Sequence, residues 1–174
     1  MKIAIVCGNP KPQSRTLAAA EALARRLEGD GAAYTVELSD IAGELFDYGS
    51  ASVAEAKKRV LASDLVIVAS PTYKASYTGL LKSFLDHFAA GELAGIFAIP
   101  FMTIGSDKHY LAAETQLRPV LVELGATVAT QSCSITVAQP EDIDSAIAEW
   151  ATRNWHGIKV FEALSTVEGG STDA

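Results

Sequence analysis

Apolar runs and helix-period segments alternate down the whole chain. Residues 2–7 are β-rich and continuously apolar from Ile3, as a strand buried on both faces should be. Residues 15–28 follow with Leu17, Ala20, Ala24 and Leu27 on one stripe, spaced three, four and three, which is helical spacing. A second strand is expected over 34–39, then a polar stretch (40–50) and a helix near 52–62. Residues 64–70, with Leu65-Val66-Ile67-Val68-Ala69 inside, read as a third strand. Residues 78–88 are helical, with Leu81, Phe84, Leu85 and Phe88 on one face. A fourth strand is expected over 96–103, although Pro100 inside it lacks a ladder donor. The pattern then predicts a helix over 109–124, a fifth strand over 126–136 and one last helix from about 140 to 164. In that last helix Ile143, Ile147 and Trp150 face inward. Pro119 inside the fourth helix would cost about 3 kcal/mol in regular geometry, so a kink or bulge is expected there.

Five strand–helix units in one chain imply a parallel sheet covered on both faces. The right-handed crossover rule then favours a doubly wound sheet with the flavodoxin-like order 2-1-3-4-5. Residues 1–164 would form one such domain, followed by a frayed Gly/Ser/Thr-rich tail over 165–174. Ligands of such sheets bind at the carboxyl ends of the strands, where the strand order reverses. The loops after strands 1, 3 and 4 are therefore the places to look for chemistry.

Composition narrows the classes. The 174 residues carry 14 Lys and Arg against 21 Asp and Glu, a formal charge of −7, with 49% apolar residues. Such a chain can bury a large core. It offers no basic patch for a phosphate backbone, so nucleic acid is not an expected partner. No apolar run approaches the ~20 residues that span a bilayer, and the apolar start is too short for a signal peptide. Cys7 and Cys133 both fall in expected strands as small buried hydrophobes, and no Cys/His cluster suggests a metal. A protein of the reducing cytoplasm is expected.

The loop Gly8-Asn9-Pro10-Lys11-Pro12-Gln13-Ser14-Arg15-Thr16 joins strand 1 to helix 1. Ser14 can cap the helix, and the orphan N–H groups there, the Ser14 and Thr16 hydroxyls and the Arg15 guanidinium could converge on an anion. Read alone, the same residues are equally an ordinary cap beside a surface arginine; the switch-point position favours phosphate. Gly8 is the only glycine of the turn, which excludes a GxGxxG dinucleotide fingerprint, and the Walker A pattern is absent too. The acidic strand ends of a response-regulator receiver are also missing: strand 1 ends Cys7-Gly8 and strand 3 ends Ser70-Pro71.

After strand 3 comes Ser70-Pro71-Thr72-Tyr73-Lys74-Ala75-Ser76-Tyr77-Thr78-Gly79-Leu80-Leu81-Lys82-Ser83-Phe84-Leu85-Asp86. Pro71 stiffens a turn, Thr72 to Lys74 offer N–H groups and an aromatic edge, and Gly79 suggests close approach by a backbone or a ring. By composition alone this is also a βα loop with two surface tyrosines. The run resembles the SPxYxxSxxGxLKxxLD segment of the NADPH-dependent FMN reductases. The first loop is similar to that family's GSPR…S[RN]T motif, with Asn9 where Ser is usual and Lys11 where Arg is usual. Thr103-Ile104-Gly105-Ser106…His109…Leu117-Arg118-Pro119-Val120-Leu121 resembles the TGG…H…L[KR]PVL segment of reductases that serve two-component monooxygenases. Together these resemblances span roughly residues 1–133.

The resemblance implies FMN at the strand ends, with NADPH or NADH as reductant. The phosphate would lie on Ser14, Arg15 and Thr16. The ring would lie between Pro71, Thr72, Tyr73 and Lys74 on one side and Gly105 and Ser106 on the other, with Lys74 supporting the anionic reduced ring. Reduced FMN could then supply a partner monooxygenase, and a homodimer or homotetramer is implied. Thr115 stands where that subgroup often carries an aromatic, and Ile104 where a small residue is usual. A bound-FMN quinone, azo or metal-oxyanion reductase would use the same contacts. A flavodoxin-type electron carrier would suit the acidic charge, but it cradles phosphate with a TxTGxT-type loop that this chain lacks. Because hydride passes between stacked cofactors, no catalytic acid or base is assigned to His87, His109 or His156. Trp150 and Trp155 are both expected in the core, and Lys82 and Asp86 are expected to pair across one helical turn.

Overall fold

A computed structural model describes residues 1–28, 34–136 and 142–168. Its strands are β1 (Ile3–Cys7), β2 (Tyr34–Glu37), β3 (Leu65–Pro71), β4 (Phe97–Ile104) and β5 (Cys133–Thr136). Its α-helices are α1 (Arg15–Glu28), α2 (Ala51–Leu61), α3 (Gly79–Leu85), α4 (Arg118–Glu123), α5 (Ile143–Arg153) and α6 (Trp155–Glu168). The sheet is parallel throughout, in the order β2-β1-β3-β4-β5.

The continuous apolar strands are explained by the two cores they feed. Ile3, Ile5 and Cys7 of β1, with Leu65, Ile67 and Ala69 of β3, pack on α1, α5 and α6. Ala4 and Val6, with Val66 and Val68, pack on α2, α3 and α4 on the opposite face. Each strand residue has a buried destination, so period-2 alternation of polar and apolar residues never develops. No helix among the described residues is long and apolar enough to cross a membrane.

Three expected elements are corrected. The fifth strand does not run over 126–136: Thr127 bridges Phe97, the chain then leaves the sheet, and pairing resumes only at Cys133. The reason lies in β4. Ala98 N–H donates to the Thr127 carbonyl, so alternate N–H groups of β4 face this edge, and position 100 is a proline with none to give. Side chains take over the detached backbone. Arg118 donates from Nη1 to Thr130 O (2.8 Å) and from Nη2 to Val128 O (2.9 Å), and Trp150 Nε1 donates to Gln131 O (3.2 Å). Gln131 N–H in turn donates to Asn154 Oδ1 at 2.7 Å, and Ser132 N–H to Glu114 Oε2 at 3.0 Å.

The expected helix over 109–124 is divided as well. A 3-10 turn over Asp107–His109 is followed by a π-helical turn over Ala113–Leu117 and then α4. Arg118 N–H reaches back five residues to Ala113 O, and Pro119 sits in the first turn of α4 where its missing donor is harmless. The expected bulge is thus a π turn. The last helix is two helices, broken at Asn154, whose Nδ2 returns to Trp150 O at 2.9 Å; its expected start at 140 lies outside the described residues. Trp150 is buried, but Trp155 is not core: it opens α6 at the edge of the core, 52% exposed, with Lys159 Nζ 4.4 Å above its ring. Lys82 and Asp86 pair at 2.5 Å.

Gly8 is the close-approach glycine, not Gly79, around which a Cβ would find nothing within 4 Å. A Cβ on Gly8 would stand 2.5 Å from Leu81 Cβ of α3. Gly8→Ala is therefore expected to destabilise the fold by about 1–3 kcal/mol through overpacking, read as a lowered urea midpoint at unchanged m-value.

Candidate functional site

The turn after β1 is built around one side chain. Asn9, 8% exposed, accepts from Lys11 N–H through Oδ1 at 2.9 Å and donates from Nδ2 to Thr16 Oγ1 at 3.1 Å. This fastens the loop at both ends. Gln13 sits at φ +49°, and its N–H donates to Glu37 Oε2 of β2 at 2.7 Å. Ser14 caps α1 as its sequence position suggests: its hydroxyl oxygen accepts from Leu17 N–H at 3.1 Å and its carbonyl from Ala18 N–H. Thr16 lies one residue into the helix, and its hydroxyl meets the Thr103 hydroxyl at the end of β4, 2.7 Å away.

The loop after β3 is locked to both neighbours. Thr72 N–H donates to Thr103 O at 2.9 Å. Tyr73 and Ser76 exchange two backbone bonds around Lys74 (φ +52°) and Ala75 (φ +65°), a two-residue hairpin with both central residues left-handed. Thr78 then caps α3 by accepting from Leu81 N–H at 3.1 Å, while its own hydroxyl donates to Gly8 O at 2.6 Å. That last bond pins the third loop directly onto the end of β1.

These loops enclose one cleft of about 580 Å³, lined by Asn9, Lys11, Gln13, Ser14, Arg15, Thr16, Pro71, Thr72, Tyr73, Thr103, Ile104 and Gly105. Seven of the expected ligand residues share it: Ser14, Arg15, Thr16, Pro71, Thr72, Tyr73 and Gly105. Lys74 and Ser106 stand outside the lining. Lys74 is at the tip of the hairpin, and the Ser106 hydroxyl accepts from Lys108 N–H at 3.4 Å to cap the 3-10 turn. The lining missed among the expected ligands is Asn9, Lys11, Gln13, Thr103 and Ile104. Asn9, Lys11 and Gln13 sit in the flagged first loop, whereas Thr103 and Ile104 end β4, and the role of Thr103 depends on a partner 87 positions away.

The charge of the cleft is opposite to that of the chain. Lys11 and Arg15 are among the described residues that line it and none of these is acidic, whereas a cavity of about 570 Å³, sharing Ile104, carries Asp107, Asp142 and Glu149 beside Arg153. Thr72 Oγ1 is buried with no hydrogen-bond partner. Burial pushes the Cys7 thiol above its ordinary value, so it is a packed neutral group beneath the loop. His87 is satisfied by Leu45 O at 2.8 Å and stacks on Tyr48, away from the cleft. No group of residues suited to hold a metal ion occurs among the described residues.

A doubly wound parallel sheet of order 2-1-3-4-5 with a cleft among the loops after β1, β3 and β4 is the architecture of the flavodoxin-like class. Within that class, the chain belongs to the NADPH-dependent FMN reductase family, whose model matches residues 1–139. It is 33% identical over 130 residues to the FMN reductase (NADPH) of Escherichia coli K12, covering 72% of this chain and 68% of that one. It is 30% identical over 128 residues to the NADH-dependent FMN reductase SfnF of Pseudomonas putida, covering 69% of each. Among solved structures, the apo form of the NADH:FMN oxidoreductase EMOB superposes with a TM-score of 0.76 at 31% identity, covering 88% of this chain and 89% of that one.

The hairpin that shapes the cleft holds two non-glycine residues in the left-handed region. Each costs about 1–2 kcal/mol there, against about 0.5–1 kcal/mol of backbone entropy that glycine would add. Ala75→Gly is accordingly expected to raise the melting temperature by about 1–4 °C, given roughly 2–4 °C per kcal/mol for a chain of this size. A calorimetric scan showing a lower value would mean the turn is not strained.

Proposed function

We propose that the cleft binds FMN and that the protein uses NADPH or NADH to reduce it. One observation carries the reading: the turn after β1 and the loops after β3 and β4 open into a single cavity, with Lys11 and Arg15 at the turn and Pro71, Thr72, Tyr73 and Gly105 beyond it. Its volume lies within the ~300–1,000 Å³ of small-molecule sites. When bound, the flavin ring supplies the hydride acceptor, and the protein's task is to hold and orient it.

Arg15, Ser14, Thr16 and the N-terminal end of α1 would hold the phosphate, with Lys11 adding charge at the rim. The ring would lie on Pro71, Thr72 and Tyr73. The orphaned Thr72 hydroxyl fits a polar ring edge, because a buried unpaired hydroxyl is costly until a ligand satisfies it. Gly105 presents no side chain, and a Cβ there would meet nothing within 4 Å, which leaves the opposite side open. Lys74 and Ser106, at the rim, would complete the contact from outside the lining. The likeness of residues 103–121 to reductases of two-component monooxygenases supports reduced FMN leaving for such a partner in the cytoplasm. Exposed Tyr110, Leu111 and Val122 support a homodimer or homotetramer built on this side of the fold.

The test is steady-state oxidation of NADPH and of NADH in air while free FMN is titrated from zero. Saturable dependence on added FMN is expected; turnover without added FMN, accelerated by a quinone, would instead mark a resident flavin. Arg15→Ala removes a charge-assisted bond to the phosphate of about 1.5–3 kcal/mol and should raise the FMN KM at least tenfold.

A further inference from the structure

Asn9, Thr16 and Thr103 form a buried chain of side-chain hydrogen bonds along one wall of the cleft, and each is more than nine-tenths buried. The direction of those bonds can be worked out by counting protons. Asn9 Oδ1 receives Lys11 N–H, which fixes the amide so that Nδ2 faces Thr16 as a donor. A hydroxyl offers one proton and two lone pairs. The Thr16 and Thr103 hydroxyls share one proton in their 2.7 Å bond, so the pair retains a second.

If Thr103 donates to Thr16, both Thr16 lone pairs are filled, by Asn9 and by Thr103, and the Thr16 O–H is left over. If Thr16 donates, the Thr103 O–H is left over. Neither hydroxyl has any further acceptor among the described side-chain bonds, and both residues line the cleft. In either arrangement the wall presents a surplus donor beside Arg15, and Asn9 biases Thr16 against accepting anything more.

On the reading that the phosphate lies at this turn, we propose that Thr103 is a positioning residue for flavin selection. With Thr103 donating to Thr16 and Asn9 filling its other lone pair, Thr16 can only donate to a phosphate, so that the site takes the phosphorylated flavin in preference to riboflavin. A phosphate dianion is an all-acceptor group and satisfies the surplus donor. The riboflavin hydroxyl is a poorer match, because it adds a proton to a wall that already has one too many.

The experiment measures dissociation constants for FMN and riboflavin, by flavin fluorescence, in the wild type, Thr103→Val and Thr103→Ser. Valine keeps the shape and removes the hydroxyl; the Thr72 bond to the Thr103 backbone carbonyl is untouched. Thr103→Val leaves the Thr16 O–H for a phosphate but frees a Thr16 lone pair to accept from the riboflavin hydroxyl, so riboflavin should tighten about tenfold with FMN within twofold, while Thr103→Ser restores the wild-type ratio. An unchanged FMN-to-riboflavin ratio in Thr103→Val, with the wild type still selective, overturns the role of Thr103. A wild type that binds both flavins equally overturns the placement of the phosphate itself. If Thr103→Val does not fold, Thr16→Val tests the same pair from its other side and should collapse the same ratio.

Discussion

The site depends on how closely β1 and α3 approach. Gly8 has no side chain, so Leu81 can stand where a Cβ would be, and Thr78 at the head of α3 can donate to the Gly8 carbonyl at 2.6 Å. Two loops joined by a bond that spans 70 positions are thereby held against each other as walls of one cleft. The same threonine caps its own helix, and its N–H is taken by the buried Ser70 hydroxyl at 3.0 Å. A buried hydrogen bond of this kind contributes only about 1 kcal/mol on balance, but leaving its partner unpaired costs about 1–3 kcal/mol, so the arrangement is fixed chiefly by the expense of undoing it.

The far edge of the sheet follows a different logic. A proline in β4 removes one rung of the ladder toward β5, and residues 128–132 leave the sheet opposite it. Their backbone is satisfied by Arg118, Glu114, Asn154 and Trp150, each from a different turn of the surrounding helices. Burial of Glu114 works against its ionisation, yet the Ser132 bonds and the Arg118 charge outweigh it and hold its carboxyl below the ordinary range. Its share of the stability is therefore present above the unfolded carboxylate range and is lost as pH falls through the depressed folded value. The edge is held by side chains because the ladder cannot hold it.

This contrast explains which features were legible in the sequence. Strands β1 and β3 are buried on both faces and flanked by turn residues, so their apolar runs identify them without ambiguity. The detour at 128–132 was not legible, because Val128, Ala129 and Thr130 look like strand residues and the cause lies 30 positions away at Pro100. Asn154 likewise breaks the last helix through a bond to Gln131, which no local pattern announces. In the cleft, the places of Ser14, Arg15, Thr16 and the 71–73 run in its lining were readable because a helix start and a rigid turn leave local marks. Thr103 was not, since its hydroxyl acquires meaning only against Thr16 across the sheet.

Strain is concentrated in the loops around the cleft. The non-glycine residues with positive φ among the described residues are Gln13, Lys74 and Ala75, and all three lie in the two loops that face each other across the cleft. Conformations of this kind cost on the order of 1–3 kcal/mol and persist only where surrounding bonds over-determine them. Here those bonds can be named: Glu37 holds the Gln13 N–H, and Tyr73 and Ser76 close the hairpin on each other. The turn and the hairpin are thus shaped before any ligand arrives, which removes part of the ordering cost that binding would otherwise carry.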